Sequence, residues 1–315
     1  MELEPMQKLD SIKQISVIGA GILGHSIAQK FASEGYRVHL CDASKENLEQ
    51  AQVNIKNNLS NLASADLLKS SPKAILSNLH YFEDITEAVK GSDIVIEAVT
   101  ENLELKKTVL KQIEFVVSEE CIIASNASSI VPSEYNIDIK NKSRVLGAHF
   151  FNPPHLLPLV ELVYSQKTGE AVKTTMKSLL TKIGMHPIGV NKETPGFIGN
   201  RLQFALLKEA ISIVQEGIAT PQEVDKVVKY GFGRRLSVMG PFEVFDFGGW
   251  DTIAKVHPNI TGEPTPPVIM EKVAQGKYGV KTGEGFYQWD QQSITKKQNL
   301  INDIYTYLEQ VVGKL

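Results

Sequence analysis

Short apolar runs alternate with segments of helical periodicity through residues 14–124. The runs predict four buried strands, over Gln14–Ile18, Tyr36–Cys41, Asp93–Val99 and Cys121–Ala124. Between them, apolar residues that recur every three or four positions predict helices over residues 25–34, 43–68, 72–79 and 103–117. Strands that alternate with helices indicate a doubly wound, mostly parallel α/β sheet. Ligands of such sheets bind outside the carboxyl ends of the strands.

A polar Pro-Gly segment, residues 191–196, marks the boundary that we predict between two domains, residues 1–192 and 193–315. Strand patterns end there. Residues 197–216 have apolar positions at helical spacing, and Thr220-Pro221 is typical of an N-cap followed by the first helical position. The chain is therefore predicted to contain a doubly wound α/β domain followed by a smaller all-α domain.

Two segments of the second half are apolar enough to need a packing surface. Residues 240–249, GPFEVFDFGG, suit a buried helix or a face between subunits, and burial within the monomer is the simpler interpretation. Near the end of the chain, one face of a predicted helix is formed by Leu300, Ile301, Ile304, Tyr305, Leu308, Val311, Val312 and Leu315. The pattern does not indicate whether this face packs on its own chain or on a partner.

Composition and charge narrow the classes of partner. The formal net charge is -3, from 33 basic and 36 acidic residues, so neither nucleic acid nor an anionic membrane is the expected partner. Two cysteines fit reduced thiols in the core better than a disulfide framework. The chain shows no signal-peptide pattern, no window of membrane-spanning length and no metal-like spacing of its histidines. We therefore expect a cytoplasmic protein without a metal site.

A glycine-rich turn joins the first predicted strand to the first helix. Gly19, Gly21 and Gly24 form the pattern G-x-G-x-x-G in a strand–turn–helix context. Gly19 permits the tight turn, Gly21 lets the backbone approach a pyrophosphate, and Gly24 lets the helix pack on the strand. The amides that follow, at Ile22-Leu23, would face the phosphates at the N-terminus of the helix.

An acidic residue closes the second predicted strand. Asp42 can accept hydrogen bonds from ribose hydroxyls, whereas a 2′-phosphate there would meet a carboxylate. No arginine follows in Ala43-Ser44-Lys45. The pattern therefore predicts a Rossmann-type dinucleotide site that prefers NAD to NADP. The alternative is a glycine-rich turn that binds nothing.

A histidine and a carboxylate flank a predicted strand–loop–strand turn in residues 144–164. His149 ends one apolar run, Glu161 lies within PLVELV, and Asn152-Pro153-Pro154 breaks the chain between them. A charge in so apolar a strand needs a partner, and His149 is the nearest candidate. A histidine oriented by a buried carboxylate is a good general base. On these residues alone an alternative stays open, in which His149 caps a strand and Glu161 accepts hydrogen bonds from backbone amides.

Two further polar segments follow predicted strands. Glu101-Asn102 comes after the third strand, and Ser125-Asn126-Ala127-Ser128-Ser129 comes after the fourth. Because the carboxyl ends of parallel strands lie at one edge of a sheet, we expect both segments close to the glycine-rich turn. The last two serines could instead cap a short helix. No G-x-S-x-G elbow is present, so the pattern does not indicate a serine nucleophile.

Several segments together resemble the L-3-hydroxyacyl-CoA dehydrogenase family, which includes bacterial 3-hydroxybutyryl-CoA dehydrogenases. The resemblance extends from about Gln14 to Trp289 and rests on VIGAGILGHSIA, EAVTENLELK, SNASS, HFFNP, PLVE, TPGFIGNRL, GPFEVFDFGG and KTGEGFYQW, in the family's order and spacing. It implies an NAD-dependent oxidoreductase of fatty acid metabolism that moves a hydride between NAD and C3 of a short-chain 3-hydroxyacyl-CoA such as 3-hydroxybutyryl-CoA. It also implies a homodimer formed through the second domain.

The resemblance assigns roles to single residues. His149 matches the catalytic histidine and Glu161 the acid that orients it. Ser128 matches the serine that hydrogen-bonds the reacting oxygen, and Asn200 matches the asparagine that completes the substrate site. Positions that contact NAD in relatives are matched by Asp42, Glu101, Lys106, Asn152 and Lys281.

The chain departs from the family pattern at three places. Ala127 replaces a threonine in the serine segment. Where relatives carry lysines for the CoA phosphates, residues 57–65 are polar and uncharged, with Lys56 and Lys69 on either side. The loop Pro153–Pro158 resembles that of L-gulonate 3-dehydrogenase and L-carnitine dehydrogenase, which oxidise free 3-hydroxy acids. The first alternative is therefore a dehydrogenase of a free 3-hydroxy acid, and a further one is a non-catalytic NAD-binding protein.

Overall fold

The first part of the chain is built on one large sheet. The computed structural model describes residues 9–312, and the chain divides into two units, Met1–Ala205 and Leu206–Leu315. Among the described residues, eight strands of the first unit form the sheet. They are β1 (Gln14–Ile18), β2 (Arg37–Cys41), β3 (Leu79–Phe82), β4 (Ile94–Glu97), β5 (Ile122–Ser125), β6 (Val145–Phe150), β7 (Leu159–Val163) and β8 (His186–Val190).

The strand order is β3-β2-β1-β4-β5-β6-β7-β8. Strands β1 to β6 pair in parallel, whereas β7 is antiparallel to β6 and β8 is parallel to β7. The predicted doubly wound, mostly parallel sheet is thus confirmed. The direction in which successive strands are added reverses between β1 and β4. The glycine-rich turn and the segment that contains Glu101 follow the carboxyl ends of these two strands.

Helices cover both faces of this sheet. They are α1 (Ile22–Ser33), α2 (Lys45–Ser64), α3 (Pro72–Leu76), α4 (Ile85–Val89), α5 (Leu103–Val116), α6 (Pro132–Tyr135) and α7 (Glu170–Lys182), with 3-10 turns at Leu9–Ser11 and Lys142–Arg144. Alternate strand residues point to opposite faces. Ile94 and Ile96 accordingly join the core beneath α1, α2 and α7, whereas Val95 joins the core beneath α4 and α5. Cys41 and Cys121 are free and buried in the second of these cores.

Two strands of the sheet were not predicted, β3 and β8. They are the two edges of the sheet, and each is partly exposed. An edge strand lacks the continuous apolar run of a central parallel strand, because one side of it faces solvent. In β8 the sequence His-Pro-Ile-Gly-Val also contains two residues that are uncommon inside strands.

Two predicted helices end earlier than expected. The short helix was predicted to reach Leu79, but α3 ends at Leu76 and Leu79 begins β3. The preceding helix was predicted to reach Leu68, but α2 ends at Ser64, and Asp66 adopts a φ of 56°. That left-handed conformation cannot continue a right-handed helix.

The second unit is helical, as predicted. Helix α8 (Gly199–Gln215) spans the division between the units, and it is followed by α9 (Pro221–Tyr230), α10 (Phe232–Leu236), α11 (Pro241–Gly248), α12 (Trp250–Thr261), α13 (Pro267–Ala274), a 3-10 turn at Val280–Thr282, and α14 (Gln291–Val312). Thr220 caps α9, and its partner Glu223 completes a capping box. In the described part of the chain, no helix has both the length and the apolar character that a membrane span requires.

A buried carboxylate organises the second unit. Asp246 in α11 is fully buried and accepts hydrogen bonds from the indoles of Trp250 and Trp289 and from the amides of Phe286 and Tyr287, at 2.5–3.0 Å. These contacts join α11 and α12 to the segment that precedes α14. Four donors on one carboxylate replace the water that it loses on burial.

The interpretation of α11 as a helix buried in the monomer is wrong. Asp246 is the one buried residue of α11, whereas the side chains of Phe242 and Phe245 are 50% and 42% exposed. Long apolar side chains on a short helix cannot all turn toward one small core. The alternative, a face between subunits, stays a prediction.

The final helix packs on its own unit. Lys297 of α14 donates to Glu243 at 2.7 Å, and Arg234 bonds Glu309 at 2.9 Å. Half-buried apolar residues of α14 include Ile294, Ile301, Ile304, Tyr305 and Leu308, whereas Leu300 and Val311 are exposed. Leu315, the last member of the predicted apolar face, lies outside the described residues, as does the side chain of Val312.

Candidate active site

The glycine-rich turn between β1 and α1 has the geometry of a dinucleotide site. Gly19 has a φ of 107°, and a Cβ there would lie 2.5 Å from the carbonyl oxygen of Ala98. A Cβ on Gly24 would lie 1.7 Å from the carbonyl oxygen of Gly19. Both positions therefore require glycine for the fold itself.

Gly21 differs from the other two glycines. Its φ is -66°, and no described atom lies within 4 Å of the position a Cβ would take. The fold therefore does not need glycine here, whereas a phosphate that approaches the backbone would need the space. Among the described residues, no side chain caps α1, so its first amides, beginning at Ile22-Leu23, can receive an anion. These features fit the pyrophosphate of NAD.

Asp42 lies directly beside this turn. Its carboxylate accepts hydrogen bonds from the amides of Ala20, at 2.8 Å, and Ser44, at 3.0 Å, and from the side chain of Asn47 at 3.1 Å. Gly19, Gly21 and Asp42 line a cleft of about 1280 Å³ that continues along the carboxyl ends of β2 and β4. The carboxylate is thus fixed at the edge of a cleft, where a ribose can reach it.

The predicted His149–Glu161 pair is present. β6 and β7 run antiparallel, with His149 and Glu161 directly opposite each other, and the distance from His149 Nδ1 to Glu161 Oε2 is 2.9 Å. The other oxygen, Oε1, accepts hydrogen bonds from the amides of Ile198 at 2.8 Å and Gly199 at 2.9 Å. The alternative use of Glu161, as an acceptor of backbone amides, therefore occurs together with the histidine contact.

The electrostatics of this pair favour an ionised Glu161. Burial acts to raise the pKa of its carboxyl, but hydrogen bonds from His149 and from the amides of Gly199 and Ile198 lower the pKa below its ordinary value. Because the pKa is lower in the folded protein, the stability that the carboxylate contributes is present at neutral pH and is lost as the pH falls through the lowered pKa. A carboxylate only accepts, so Nδ1 of His149 carries a proton, and in the neutral form of the ring the lone pair is on Nε2.

Aromatic rings enclose His149. Its ring centroid lies 4.9 Å from that of Phe151 and 5.5 Å from that of Phe197, and the side chain is 5% exposed. Phe197 adopts a φ of 50°, and a Cβ on Gly199 would lie 2.3 Å from the ring of Phe151. The sequence analysis missed the role of Ile198 and Gly199 in holding Glu161, although the second glycine of TPGFIGNRL, Gly199, marks the close approach.

The serine segment, Ser125–Ser129, begins at the last residue of β5 and contacts Glu101 and Asn200. The amides of Ser128 and Ser129 donate to Glu101 Oε1 at 3.0 and 2.7 Å, and Asn200 donates to the carbonyl of Ser128 at 3.3 Å. The structure thus brings Ser128, Glu101 and Asn200 together. The alternative that these serines cap a helix is wrong, because the residue before α6 is Val131 and the first-turn amide of Ser133 donates to Glu193 at 2.7 Å rather than to a serine.

Lys106 was expected to contact the cofactor, and the structure places its ammonium in a buried ion pair. The side chain is 1% exposed and lies 2.9 Å from Glu97, which is fully buried. It also donates to the carbonyl of Val99 at 3.2 Å. Glu97 was not singled out from the sequence, although it is the one charged residue in the apolar strand β4.

The remaining predicted cofactor residues lie apart in the chain. Asn152 is exposed, directly after Phe151, and a cis peptide bond joins it to Pro153. Lys281 belongs to the second unit, where it bonds Asp251 at 2.9 Å. Their contact with a cofactor stays a prediction. No group of three potential metal ligands occurs in the described residues.

Two profiles of one protein family together match most of the chain. The profile described as "3-hydroxyacyl-CoA dehydrogenase, NAD binding domain" matches residues 14–194, and that described as "3-hydroxyacyl-CoA dehydrogenase, C-terminal domain" matches residues 196–289. The chain is 32% identical to 5-formyl-3-hydroxy-2-methylpyridine 4-carboxylate 5-dehydrogenase of Mesorhizobium japonicum, over 88% of this chain and 90% of that protein.

Two further comparisons give the same result. Mitochondrial hydroxyacyl-coenzyme A dehydrogenase of Sus scrofa is 34% identical, over 88% of this chain and 91% of that protein. The crystal structure of a 3-hydroxyacyl-CoA dehydrogenase from Archaeoglobus fulgidus superposes with a TM-score of 0.80 at 28% identity, covering 94% of this chain and 99% of the other. The chain therefore belongs to the 3-hydroxyacyl-CoA dehydrogenase family, whose members are NAD-dependent oxidoreductases.

Proposed function

We propose that this protein catalyses the reversible oxidation of a short-chain 3-hydroxyacyl-CoA at C3, with His149 as the general base. The observation that carries the proposal is the pair formed by His149 and Glu161 across β6 and β7, with Nδ1 and Oε2 at 2.9 Å. Membership of the family supports a CoA thioester as the substrate. Relatives of known structure include a (S)-3-hydroxybutyryl-CoA dehydrogenase that is 32% identical.

The geometry supports a specific path for the proton. Nδ1 of His149 donates to Glu161, so Nε2 is free to accept the hydroxyl proton of the substrate. The positive charge that then forms on the ring faces an ionised carboxylate, which is itself held by the amides of Ile198 and Gly199. The rings of Phe151 and Phe197 exclude water from the imidazole and so strengthen this interaction.

Other residues would hold the reactants. The amides after Gly21 would bind the pyrophosphate of NAD, and Asp42 would accept from the adenosine ribose. When NAD is bound, its nicotinamide provides the hydride acceptor. Ser128 and Asn200, which touch each other through a 3.3 Å hydrogen bond, would orient the reacting oxygen and the substrate.

Replacing Asp42 by alanine is expected to weaken NADH binding by about 10- to 100-fold, the effect of losing hydrogen bonds to a charged acceptor. NADPH binding should weaken less, because the carboxylate repels a 2′-phosphate. Fluorescence titration of both cofactors measures the ratio of their dissociation constants. Glu49→Ala, which removes an exposed carboxylate from the same region, serves as control. Equal affinity of the unmutated protein for NADH and NADPH would show that Asp42 does not select the cofactor.

A second candidate is a dehydrogenase of a free 3-hydroxy acid, and one contact favours it. Lys69, one of the two lysines that flank the uncharged segment 57–65, bonds Glu34 at 2.9 Å. Its charge is therefore partly neutralised before any CoA phosphate arrives. A relative 32% identical to this chain is also named for a pyridine carboxylate rather than for a CoA thioester.

The oxidation of NADH, followed by absorbance, separates the two candidates. We expect acetoacetyl-CoA to exceed free acetoacetate and 3-dehydrocarnitine in kcat/KM by at least about tenfold, the factor that about 1.4 kcal/mol of binding to the CoA handle supplies. The protein with His149→Ala is the control for contaminating activity. Turnover of a free acid alone would contradict the thioester and support the second candidate. NADH binding without turnover of any of the three compounds would favour a non-catalytic NAD-binding protein.

A further inference from the structure

Glu101 makes hydrogen bonds that a cofactor contact alone does not explain. One oxygen, Oε1, accepts from three consecutive backbone amides, those of Ser128 at 3.0 Å, Ser129 at 2.7 Å and Ile130 at 3.3 Å. The hydroxyl of Ser129 donates to the same oxygen at 2.8 Å. Consecutive amides that converge on one anion define the conformation of a turn. The carboxylate therefore acts as the template on which the serine segment is folded.

The other oxygen of Glu101 connects to a buried network. Lys106 lies 3.6 Å from Oε2, and its ammonium bonds the fully buried Glu97. Glu97 in turn accepts a hydrogen bond from the hydroxyl of Ser125, at the end of β5. The contacts form a closed ring that begins and ends in the segment 125–129. Glu101 is thus held in place from the side opposite the serines.

The main chain of Ser128 is held on both sides. Its amide donates to Glu101, and its carbonyl accepts from the side chain of Asn200 at 3.3 Å. Its hydroxyl lies 3.4 Å from Glu101, a longer and weaker contact than the 2.8 Å bond of Ser129. The hydroxyl of Ser128 can therefore rotate toward a substrate oxygen at small cost, while its backbone stays in position.

We infer that Glu101 is a positioning residue of the reaction, which sets the backbone of Ser128 so that its hydroxyl meets the reacting oxygen. This inference rests on the proposed function, because it uses the role proposed for Ser128. Burial acts to raise the pKa of Glu101, but the hydrogen bonds from Ser129, the charge of Lys106 and the amide of Ser128 lower it below its ordinary value. The template is therefore a carboxylate at neutral pH.

Kinetics and amide hydrogen exchange together test the inference. Glu101→Ala should lower kcat by about 100-fold at saturating NADH, the effect of a small misplacement of a reacting group. Glu101→Gln keeps an oxygen for the three amides and should retain kcat within about tenfold. Glu101→Asp keeps the charge but withdraws it from the turn, and it should lose kcat as alanine does. Glu104→Ala removes an exposed carboxylate of α5 and should leave kcat unchanged.

A double-mutant cycle shows whether Glu101 acts through the serine. In the Ser128→Ala background, adding Glu101→Ala should cost far less than in the unmutated protein. Independent, multiplicative losses would overturn the inference, as would a loss confined to the KM of NADH with kcat unchanged. Full kcat in Glu101→Asp would overturn it also.

Amide exchange separates this inference from the proposed function, because it needs no substrate. In peptides that cover residues 126–131, Glu101→Ala should exchange faster than the unmutated protein, whereas Glu101→Gln and Glu104→Ala should not. Unchanged exchange in Glu101→Ala would overturn the inference even if the enzyme is active. Faster exchange in a protein that turns over none of the substrates would support the template and contradict the proposed reaction instead.

Discussion

Replacing His149 by alanine is expected to lower kcat by about 10²- to 10⁴-fold, the usual contribution of a general base. The loss follows from the proposed mechanism, in which Nε2 of His149 accepts the substrate proton. Glu161 fixes the orientation of the ring through its 2.9 Å bond to Nδ1. NADH affinity should stay nearly constant, since the predicted contacts of the pyrophosphate and the adenosine ribose lie at the turn between β1 and α1. The effect should therefore appear in kcat rather than in cofactor binding.

Steady-state kinetics and NADH fluorescence titration measure the two quantities separately. His186→Ala, which removes an exposed imidazole from the edge strand β8, is the matched control and should leave kcat unaltered. A melting temperature close to that of the unmutated protein would show that the loss is chemical rather than structural. If His149→Ala turned over substrate at the normal rate, the central element of the proposed mechanism would be wrong.

Replacing Asp246 by alanine is expected to reduce the free energy of unfolding of the second unit by about 3–5 kcal/mol, the range for breaking a buried charged network. The substitution leaves two indole and two backbone N–H groups without their acceptor. It also leaves a cavity beside Gly285. The carboxylate packs directly against this glycine, where a Cβ would lie 2.1 Å from Asp246 Oδ1.

Tryptophan fluorescence is a direct measurement of this effect. The chain has two tryptophans, Trp250 and Trp289, and both donate to Asp246. Urea unfolding followed by their emission should show a lower midpoint for Asp246→Ala. Asp246→Asn keeps one oxygen for two of the donors and should lose less, and Asp303→Ala on the exposed side of α14 should lose nothing measurable. An unaltered midpoint in Asp246→Ala would show that the four hydrogen bonds do not support the fold.

Local patterns in the sequence were sufficient to predict the central strands and the glycine-rich turn. A central parallel strand is buried on both faces, so β1, β4 and β5 are mostly apolar and were recognised as strands. Gly24 is required by a steric contact within one strand–turn–helix unit, with the carbonyl of Gly19, whereas Gly19 itself approaches the carbonyl of Ala98 after β4. The edge strands β3 and β8 had no such signal, because each is paired on one side alone and partly exposed.

The pairing of His149 with Glu161 could be predicted in part from the sequence. The apolar strand around Glu161 showed that the charge needs a partner, and the Pro-rich turn before it placed His149 within reach. The register that puts the two residues directly opposite each other was decided by the sheet. The amides of Ile198 and Gly199, which hold the other oxygen, follow Glu161 by 37 and 38 positions, and no local pattern could have linked them to it.

The sequence by itself thus determined the class of fold, the dinucleotide turn and the candidate pairing of His149 with Glu161, because each depends on residues that are close in the chain or on burial that leaves an apolar pattern. Only the tertiary structure decided which acceptor each polar group finds. It placed Lys106 on Glu97, the serine amides on Glu101 and two indoles on Asp246. Such contacts join distant segments, and a buried charge is satisfied by whichever donors the packed chain brings to it.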